Sequence, residues 1–507
     1  MNNHFNIISF YLVLVLFINI NKSKSQVSNV VFKNLIEINS VSDDFGLTFP
    51  IDSNIYYFTS SRVGQVNKHN IYCSNLVNGK FSNPNLMSDF IPLNVNLPDN
   101  FTEASISSGS CYISPSGNEM YFSSCDYGFG ECDIYSCQKL QILPTFLKTW
   151  NISYNLGLKI NTSSWDSQPC LSPIGDILVF SSNRAGGFGG RDIWFSFRKT
   201  DGSWDYPINA GENVNTNYDE VTPSFSPDKS KLYFSSNGRS GLGGFDVFFV
   251  NFNELLTNRP INFKEVNSVD DDLFFVQNYI QNKSYISSNR KGGIGGLDIY
   301  EITNLKSEIF PYLLVKGFVY DFNKMPVFAE IEVSDPQTGK LISKSINNKY
   351  DGDFYQILMK GKSYILTAKV GDLLFESKEI NVQKNLSKLT ITELNFNLQN
   401  IGDNLRILLS FKNNSSIIQS ELMGDLSRLT KFLISNKKYR IEITGFSDDA
   451  IEPSTNQYLA ALRGNSIKDY LIGNGINSDR ISVNEVSATK EIIDLNPNQY
   501  VRIKLIR

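Results

Sequence analysis

A serine- and glycine-rich motif that recurs along the first three-fifths of the chain constrains the fold more than any other feature. Its clearest copies are residues 181–194 (SSNRAGGFGGRDIW), 235–248 (SSNGRSGLGGFDVF) and 287–300 (SSNRKGGIGGLDIY), with weaker copies at 60–72 and 123–135. In the clear copies an alternating apolar run leads into the serines, a glycine-rich turn follows, and a second β-rich run begins at an aspartate. Glycine adopts positive φ without steric cost, so the pattern predicts a β-hairpin.

The spacing of the copies predicts a β-propeller of five blades over residues 26–308. The motif recurs every 52 to 63 residues, and one such unit alone cannot bury its faces. Each unit has room for four short strands, as a propeller blade requires. Residues 32–43 (FKNLIEINSVSD) resemble residues 263–271 (FKEVNSVDD), which lead into the fifth copy. We therefore expect residues 30–38 to pair with the strand around 298–302 and to close the ring, which removes an open sheet edge.

A different β pattern begins at Pro311 and predicts a second domain over residues 311–398. Residues 313–320 (LLVKGFVY) alternate in hydropathy, and turn residues then separate further short runs such as 329–333 (AEIEV). Seven short strands in this stretch indicate a small β-sandwich.

The last part of the chain, residues 400–507, predicts an α/β domain with the order β-α-β-α-β. One apolar helix face is formed by Leu422, Leu426, Leu429 and Leu433. Residues 439–445 (YRIEITG) predict a strand. A capping box at residues 454–457 predicts the start of the next helix, whose inward side chains are expected to be Leu459, Leu462, Tyr470 and Leu471.

The N-terminal segment predicts export. Residues 7–20 (IISFYLVLVLFINI) are apolar, too short for a comfortable membrane span and typical of a signal-peptide core. Small residues at Ser23 and Ser25 predict cleavage after residue 25, which leaves Gln26 as the first residue of the mature chain. The alternative is an uncleaved anchor, because residues 1–6 contain no Lys or Arg.

Composition and charge restrict the classes of partner. The chain of 507 residues has a formal net charge of −4, and only 19% of its residues are charged. This balance argues against a nucleic-acid partner.

The cysteines predict one disulfide and no metal site. An exported chain with six cysteines is able to form disulfides, and Cys125 and Cys132 flank the glycine loop of the second copy, so a bridge between them is expected. Metal binding is the alternative for these cysteines, but the chain contains only two histidines, His4 and His69. We predict no cofactor.

Charged residues repeated in the copies allow two interpretations. Arginines recur at one position and aspartates at another, namely Arg62, Arg184 and Arg290, and Asp133, Asp192, Asp246 and Asp298. A ring of arginines is able to bind an anionic ligand, whereas fixtures that hydrogen-bond blade to blade explain the repetition more simply. No nucleophile, base and orienting residue suggest a catalytic set, so we predict no catalytic residues. The alternative is an exported enzyme acting on glycans or peptides, which would place two carboxylates together in the propeller channel.

Three segments resemble known families. The pattern SP-x-G…YFSSN-x-GG-x-GG-x-DIY is similar to TolB-type, WD-like propeller repeats of exported envelope proteins. Residues 311–398 resemble the carboxypeptidase regulatory-like domain, a structural spacer, notably at Gly317, Pro326, Gly352 and Tyr364. The last 105 or so residues resemble the OmpA C-terminal, peptidoglycan-binding domain.

The OmpA resemblance implies a set of binding residues. The loop Gly445-Phe446-Ser447-Asp448 resembles the Gly-x-Thr-Asp loop of the family, and Asn456, Leu459 and Arg463 follow at the family's distances. The resemblance implies that Asp448 accepts a hydrogen bond from the ammonium of the diaminopimelate stem and that Arg463 holds its carboxylate, with Ser447 and Asn456 beside them. The alternative is a structural ion pair between Asp448 and Arg463.

The order of the three segments resembles propeller-containing OmpA-family envelope proteins of Bacteroidetes, including PorE-like accessory proteins of type IX secretion but without their helical repeat. That resemblance implies a non-enzymatic scaffold in the periplasm, associated with the outer membrane. Such a scaffold would hold an outer-membrane or periplasmic protein on its propeller and tether it to peptidoglycan.

Overall fold

The computed structural model describes the chain from residue 30 to residue 506 with several gaps. The described ranges are 30–51, 53–62, 68–87, 107–142, 147–150, 153–278, 280–305, 312–321, 324–370, 374–385, 390–398, 406–447, 453–485 and 500–506. The predicted signal peptide and Asp448 lie outside them. The described residues are mainly in eight β-sheets, and their α-helices lie in the C-terminal part. None of the helices in these ranges is long and apolar enough to cross a membrane.

Strand β1 (Val31–Asn34) is followed by five antiparallel sheets, which we call units 1 to 5. Unit 1 contains β2 (Asp44–Thr48), β3 (Ile55–Ser60), β4 (Asn70–Val77), β5 (Lys80–Phe81) and β6 (Asn85–Leu86). Unit 2 contains β7 (Ser108–Ile113), β8 (Glu119–Ser124), β9 (Asp133–Ile142), β10 (Leu147–Trp150) and β11 (Tyr154–Asn155). Unit 3 contains β12 (Asp166–Leu171), β13 (Ile177–Ser182), β14 (Asp192–Phe197) and β15 (Ile208–Asn209). Unit 4 contains β16 (Glu220–Phe225), β17 (Lys231–Ser236), β18 (Asp246–Asn251) and β19 (Ile261–Asn262).

Unit 5 joins the beginning of the sheet region to its end. It contains β20 (Asp272–Asn278), β21 (Lys283–Ser288) and β22 (Asp298–Thr303), and β1 adds to its outer edge. Val31 lies opposite Thr303 and Asn34 lies opposite Tyr300 in an antiparallel pair. The expected pairing of residues 30–38 with the strand around 298–302 is confirmed.

The strand register corrects the alignment of the first repeat. Asp44 pairs with Ser60, as Asp166 pairs with Ser182 in unit 3. Ser60 is therefore equivalent to the second serine of each later copy, and the first copy begins at Thr59 rather than at Ser60. The extra serine at position 61 concealed this offset in the sequence.

A β-bulge in the innermost strand of every unit connects it to the unit before. Each bulge contains one residue with φ between 49° and 67°, and these residues are Gly46, Ser110, Gln168, Thr222 and Phe274. The backbone N–H of each donates to a side-chain oxygen of the preceding unit, namely that of Ser287, Thr59, Ser123, Gln168 and Thr222 respectively, at 2.8–3.2 Å. The five units thus contact one another in cyclic order, with unit 5 against unit 1.

A second contact between successive units is made by their glycine loops. The N–H of Asp44 donates to the carbonyl of Leu297 at 2.7 Å, and the N–H of Leu297 donates to Asp43 at 2.8 Å. At Gly295 a Cβ atom would lie only 2.1 Å from the carbonyl oxygen of Ser42. Glycine is needed here because the loop of unit 5 touches the backbone that leads into unit 1.

Replacing Gly295 with alanine should weaken the closure between units 5 and 1. The added methyl group meets rigid backbone, so we expect the free energy of unfolding to fall by about 1–3 kcal/mol, as for other overpacking substitutions. The measurement is urea denaturation followed by tryptophan fluorescence. This signal reports the unfolding of the sheet region, because all four tryptophans lie between residues 150 and 204. Lys291→Ala, at an exposed position of the same loop, is the control, and equal stability of the two variants would contradict the prediction.

The second domain has eight strands in two sheets, where seven are predicted from the sequence. They are β23 (Tyr312–Asp321), β24 (Glu330–Ser334), β25 (Leu341–Ile346), β26 (Asp353–Met359), β27 (Ser363–Val370), β28 (Leu374–Asn381), β29 (Thr390–Glu393) and β30 (Phe396–Leu398). One sheet has β26 and β29 on either side of β23, with β30 also on β23, and the other has the order β25-β24-β27-β28. Their shared core includes Val319, Ile331, Phe354, Leu366 and Phe396.

This sandwich contacts units 2 and 4 through polar side chains. The amide of Asn118 donates to Asp351 at 2.8 Å, and Tyr312 donates to Asp228 at 2.6 Å. Asp353 is buried at the same junction, 3.4 Å from the Asn118 amide nitrogen. Burial, and then the charge of Asp351, raise the pKa of Asp353 from 3.8 to about 8.

The raised pKa of Asp353 predicts a stability that falls with increasing pH. The protonated carboxyl favours the folded state, so its contribution is complete below pH 3.8 and is lost as the pH approaches 8. The slope reaches at most about 1.4 kcal/mol per pH unit. Asp353→Asn, which mimics the neutral form, should flatten this slope and raise the free energy of unfolding at pH 8.

The measurement is urea denaturation at a series of pH values. Glu265→Gln, at an exposed carboxyl that makes no hydrogen bond to another described residue, is the control and should retain the slope of the parent protein. A slope that survives in Asp353→Asn would show that this carboxyl is not the group that titrates.

The C-terminal unit is a four-stranded sheet with two helices. Its elements are β31 (Arg406–Ser410), α1 (Ser420–Ser435), β32 (Arg440–Gly445), α2 (Pro453–Gly473), β33 (Ile481–Glu485) and β34 (Tyr500–Ile506). The sheet order is β31-β34-β32-β33, with β33 parallel to β32 and β34 antiparallel to both of its neighbours. The predicted helix face is confirmed, since its four leucines are buried in the core: Leu422, Leu426, Leu429 and Leu433.

The second helix differs from the sequence-based expectation. It begins at Pro453, so the predicted capping box lies inside its first turn. Of the four residues predicted to point inward, Leu471 is buried, whereas Leu459, Leu462 and Tyr470 are only half-buried. The other buried residues among those described in this helix are Ala460, Arg463, Gly464 and Ile467. The sequence pattern did not reveal this face because Arg463, a charged residue, is one of its buried positions.

Candidate functional site

The end of strand β32 lies directly against helix α2. A Cβ atom at Gly445 would be 2.0 Å from the carbonyl oxygen of Ala460, and one at Gly464 would be 2.8 Å from Val483. Glycine at both positions allows the strand and the helix to approach closely. This approach positions Phe446 and Ser447, which follow the strand, against the first turns of α2.

Three of the four residues predicted to bind peptidoglycan meet at this loop. Ser447 is buried, and its hydroxyl donates to the amide oxygen of Asn456 at 3.3 Å. Arg463 lies two turns further along α2, and its Nη1 donates to the carbonyl of Phe446 at 2.9 Å. The fourth, Asp448, lies outside the described residues, so its pairing with Arg463 remains a prediction.

The guanidinium of Arg463 connects two loops. Besides Phe446, it donates from Nε to the carbonyl of Ser415 at 2.8 Å and from Nη2 to the carbonyl of Lys412 at 3.1 Å. Its side chain is fully buried, at 0% exposure, and lies 5.6 Å from the ring centroid of Phe411. Arg463 therefore fixes the loop after β31 and the loop after β32 relative to each other.

Sequence reasoning missed the backbone partners of Arg463 and a second nearby cation. The carbonyls of Lys412 and Ser415 leave no signal in the sequence, because any residue supplies a carbonyl. Arg502 on β34 lies 5.3 Å from the ring centroid of Phe446. The sequence position of Arg502, directly after Tyr500-Val501 in β34, could have indicated this second cation.

Replacing Arg463 should destabilise the C-terminal unit as well as any binding site. Arg463→Ala leaves three carbonyls without their donor, so we expect a loss of about 3 kcal/mol or more. Arg463→Lys should recover only part of this loss, because one ammonium cannot span two loops as a guanidinium does. The measurement is urea denaturation followed by far-ultraviolet circular dichroism, with the exposed Arg440→Ala as control; unchanged stability of Arg463→Ala would contradict it.

The repeated arginines of the sheet region act as internal fixtures. Arg62, Arg184 and Arg290 each bond an inner-strand carboxylate that is itself buried, and each also donates to a carbonyl of the segment leading into that strand. The carboxylates belong to Asp44, Asp166 and Asp272, and the carbonyls belong to Ile38, Ile160 and Val266. These arginines therefore hold each unit to its connecting segment rather than forming an open ring of cations.

The repeated aspartates cap the glycine loops. Asp192, for example, accepts from the N–H groups of Phe188 at 2.6 Å and Gly189 at 3.2 Å. The same pair of contacts occurs at Asp133, Asp246 and Asp298. Each glycine loop is consequently fixed by its own aspartate.

The structure joins Cys125 and Cys132 in a disulfide across the glycine loop of unit 2. The other four cysteines, Cys73, Cys111, Cys137 and Cys170, are free thiols. Burial raises the pKa of Cys111 and of Cys170 to about 12, so neither thiol ionises near neutral pH.

A cavity of about 120 Å³ lies among the innermost strands of the five units. Its lining is largely apolar and includes Phe49, Tyr112, Cys170, Phe225 and Phe274. None of the described residues that line it is an aspartate or glutamate. Nor do the described ranges contain a group of three or more His, Cys, Asp or Glu side chains placed to hold a metal ion. The paired carboxylates that would favour an enzyme are thus not found among these lining residues.

Comparison with solved structures gives low overall similarity to three envelope proteins. TolB from Acinetobacter baumannii is 15% identical with a TM-score of 0.30, and the match covers 52% of this chain and 55% of that one. The peptidoglycan-associated lipoprotein from Burkholderia pseudomallei is 19% identical with a TM-score of 0.18, and the match covers 19% and 88% of the two chains. The periplasmic domain of Helicobacter pylori MotB is 23% identical with a TM-score of 0.19, and the match covers 21% and 85%.

The chain thus spans little more than half the length of the TolB structure that it matches. Residues 410–502, which include β32, α2 and the loop at Ser447, match the model of the OmpA family.

Proposed function

We propose that this chain is a non-enzymatic scaffold of the cell envelope whose C-terminal unit binds peptidoglycan. The observation that carries the proposal is the match of residues 410–502 to the OmpA family, which includes the predicted binding positions. The proposed domains are a signal peptide over residues 1–25, a propeller over 26–308, a sandwich spacer over 311–398 and the peptidoglycan-binding domain over 400–507.

A five-bladed propeller is the proposed architecture of units 1 to 5. It is supported by the cyclic order of the inter-unit contacts and by strand β1, which completes the sheet of unit 5. Closure of this kind leaves no long sheet edge open. The propeller is proposed to bind an outer-membrane or periplasmic protein, and the sandwich to act as the spacer that connects it to the tethering domain.

The proposed site binds the diaminopimelate stem through opposite charges. Asp448 accepts from the ammonium, while Ser447 and Asn456 keep the loop and the helix together. Arg463 holds the carboxylate, which requires the loops around its fully buried guanidinium to open. The buried contacts of Arg463 support a structural role in addition to binding, because its guanidinium fixes the two loops around the site. Arg502, whose guanidinium carbon lies 5.3 Å from the ring centroid of Phe446, adds positive charge beside this loop.

The proposed location is the periplasm, in association with the outer membrane. It follows from the apolar segment at residues 7–20 and from the proposed tether to peptidoglycan. An accessory role in type IX secretion or in outer-membrane organisation fits a scaffold of this order. A signal peptide cleaved after residue 25 would give a mature chain that begins at Gln26.

Replacing Asp448 with asparagine tests the binding site and leaves the three described carbonyl partners of Arg463 in place. Removing the charge that accepts from an ammonium should weaken sedimentation with purified sacculi at least tenfold, because losing one partner of a desolvated charged contact costs about 2–5 kcal/mol. Free diaminopimelate should compete with sacculi for the parent protein.

Asp469→Asn, at an exposed position further along α2, is the matched control and should sediment as the parent does. The free energy of unfolding should be unchanged in both variants. If Asp448→Asn binds sacculi as tightly as the parent protein, the peptidoglycan site is not at this loop.

A further inference from the structure

The glycine loops of units 2 to 5 each expose one large apolar side chain at the same position. The side chains are those of Phe129, Phe188, Leu242 and Ile294, and they are 43–56% exposed. The backbone N–H of each is held by the aspartate that caps its loop. The tips are therefore fixed in place, yet their side chains are not part of any buried cluster among the described residues.

Further exposed apolar side chains stand in the segments that touch these loops. Val41 is 84% exposed, Tyr218 61% and Val269 77%. The carbonyls on either side of Val41 lie 2.1 and 2.6 Å from where a Cβ of Gly295 would be, directly after the tip residue Ile294. Gly189 and Gly243 approach the segments of Tyr218 and Val269 in the same way. We call these seven residues the tip face.

A carboxylate accompanies each tip. In units 3, 4 and 5 a glycine two residues after the tip lies against an aspartate of the next unit, at 2.1–2.3 Å from the position of a Cβ. The glycines are Gly190, Gly244 and Gly296, and the aspartates are Asp219, Asp271 and Asp43. Each aspartate also accepts a backbone N–H of the preceding unit, from Arg191, Phe245 and Leu297.

Unit 2 also has a carboxylate beside its tip, but this carboxylate belongs to the glycine loop itself and not to the next unit. The position of Asp219 is taken there by Trp165, whose N–H bonds Asn183 as that of Asp219 bonds Asn237. The position of Gly190 is taken by Glu131, which is exposed. Unit 2 therefore lacks the contact between an aspartate and a glycine, yet it also has a carboxylate beside its tip.

The overall charge of the tip face is negative. Among its described loops six carboxylates outnumber four cations, apart from the three arginines that bond inner-strand carboxylates. The carboxylates are Asp43, Asp126, Glu131, Asp219, Asp270 and Asp271, and the cations are Lys68, Arg191, Arg239 and Lys291. An acidic surface is repelled by anionic lipid headgroups and attracts a basic protein.

The tip face also lies away from the sandwich. Strand β8 begins at Glu119, next to the Asn118 that touches the sandwich, and ends at Ser124, next to the glycine loop. The sandwich and the tip face are therefore at opposite ends of the strands. Exposed apolar groups set in polar surroundings are typical of protein interaction sites.

We propose that the tip face binds a protein segment that presents aliphatic or aromatic side chains flanked by lysine or arginine. The proposal rests on the proposed role of the propeller in holding a protein partner and names the surface and the chemistry of that partner. The apolar tips supply the contact area, and the carboxylates beside them select a basic neighbour.

A random peptide library displayed on phage, selected against the immobilised full chain, tests this assignment. We expect enriched peptides to combine apolar residues with lysine or arginine and to bind more weakly as salt concentration rises. Binding of the synthetic peptides should fall at least tenfold in the variant Phe129→Ser/Phe188→Ser/Leu242→Ser/Ile294→Ser. Glu131→Gln/Asp270→Asn should weaken binding and reduce its salt dependence, because no described hydrogen bond depends on either carboxylate.

The matched control is Tyr206→Ser/Ile208→Ser/Leu256→Ser/Ile261→Ser, which removes side chains that are 53–73% exposed but lie away from the tips. It should bind the peptides as the parent does. The proposal is overturned if no peptide is enriched, if enriched peptides lack basic residues, or if the tip variant binds them as well as the control. It is also overturned if phosphatidylglycerol vesicles bind through the tips while no peptide does.

Sedimentation with sacculi separates this proposal from the proposed tether. The tip variant should sediment with sacculi as the parent does, because the tether is assigned to the C-terminal unit. Loss of peptide binding with retained sedimentation supports the tip face alone, whereas sedimentation that depends on the tips would overturn both assignments.

Discussion

The sheet region depends on hydrogen bonds from bulged inner-strand amides to the neighbouring sheet. Four of the five bulges place a residue other than glycine at positive φ, which costs about 1–2 kcal/mol each. A buried amide without a partner would cost a comparable or larger amount, about 1–3 kcal/mol. The strained conformation is kept because it turns the N–H out of its own sheet and toward the sheet of the preceding unit. Successive units are thus joined in cyclic order, and their loops and tips are positioned accordingly.

The sequence predicts much of this arrangement but not its central contact. The repeated serines, glycine turns and aspartates predict the sheets, and the likeness of residues 32–43 to 263–271 predicts the pairing of β1 with β22. The bulge positions carry Gly46, Ser110, Gln168, Thr222 and Phe274, which have no property in common. Their contact uses the backbone amide, which every residue except proline supplies. A pattern of side chains therefore cannot reveal it.

The candidate binding site was predictable to a similar degree. The loop after β32 and the positions of Ser447, Asn456 and Arg463 follow from the order of residues in the OmpA-like segment. The burial of Arg463 does not follow from the sequence, because an arginine on a helix is normally expected to be exposed. The guanidinium is stable in the interior because carbonyls of two loops accept its N–H groups. The sequence specifies the residue, whereas the loops that surround it decide what it can contact.

The polar character of the junction between the sheets and the sandwich has a consequence for how the chain could work. Asn118, Asp351, Asp353, Asp228 and Tyr312 connect the two parts largely through hydrogen bonds. Hydrogen bonds fix orientation through their geometry, and their net contribution to stability is modest. A junction of this kind sets the direction in which the tip face points without making the two parts one core. The C-terminal unit has its own core, so a ligand at the loop after β32 need not alter the tip face. Such a chain holds its parts in a fixed orientation and does not need to change conformation. The proposed scaffold between peptidoglycan and a protein partner requires this property.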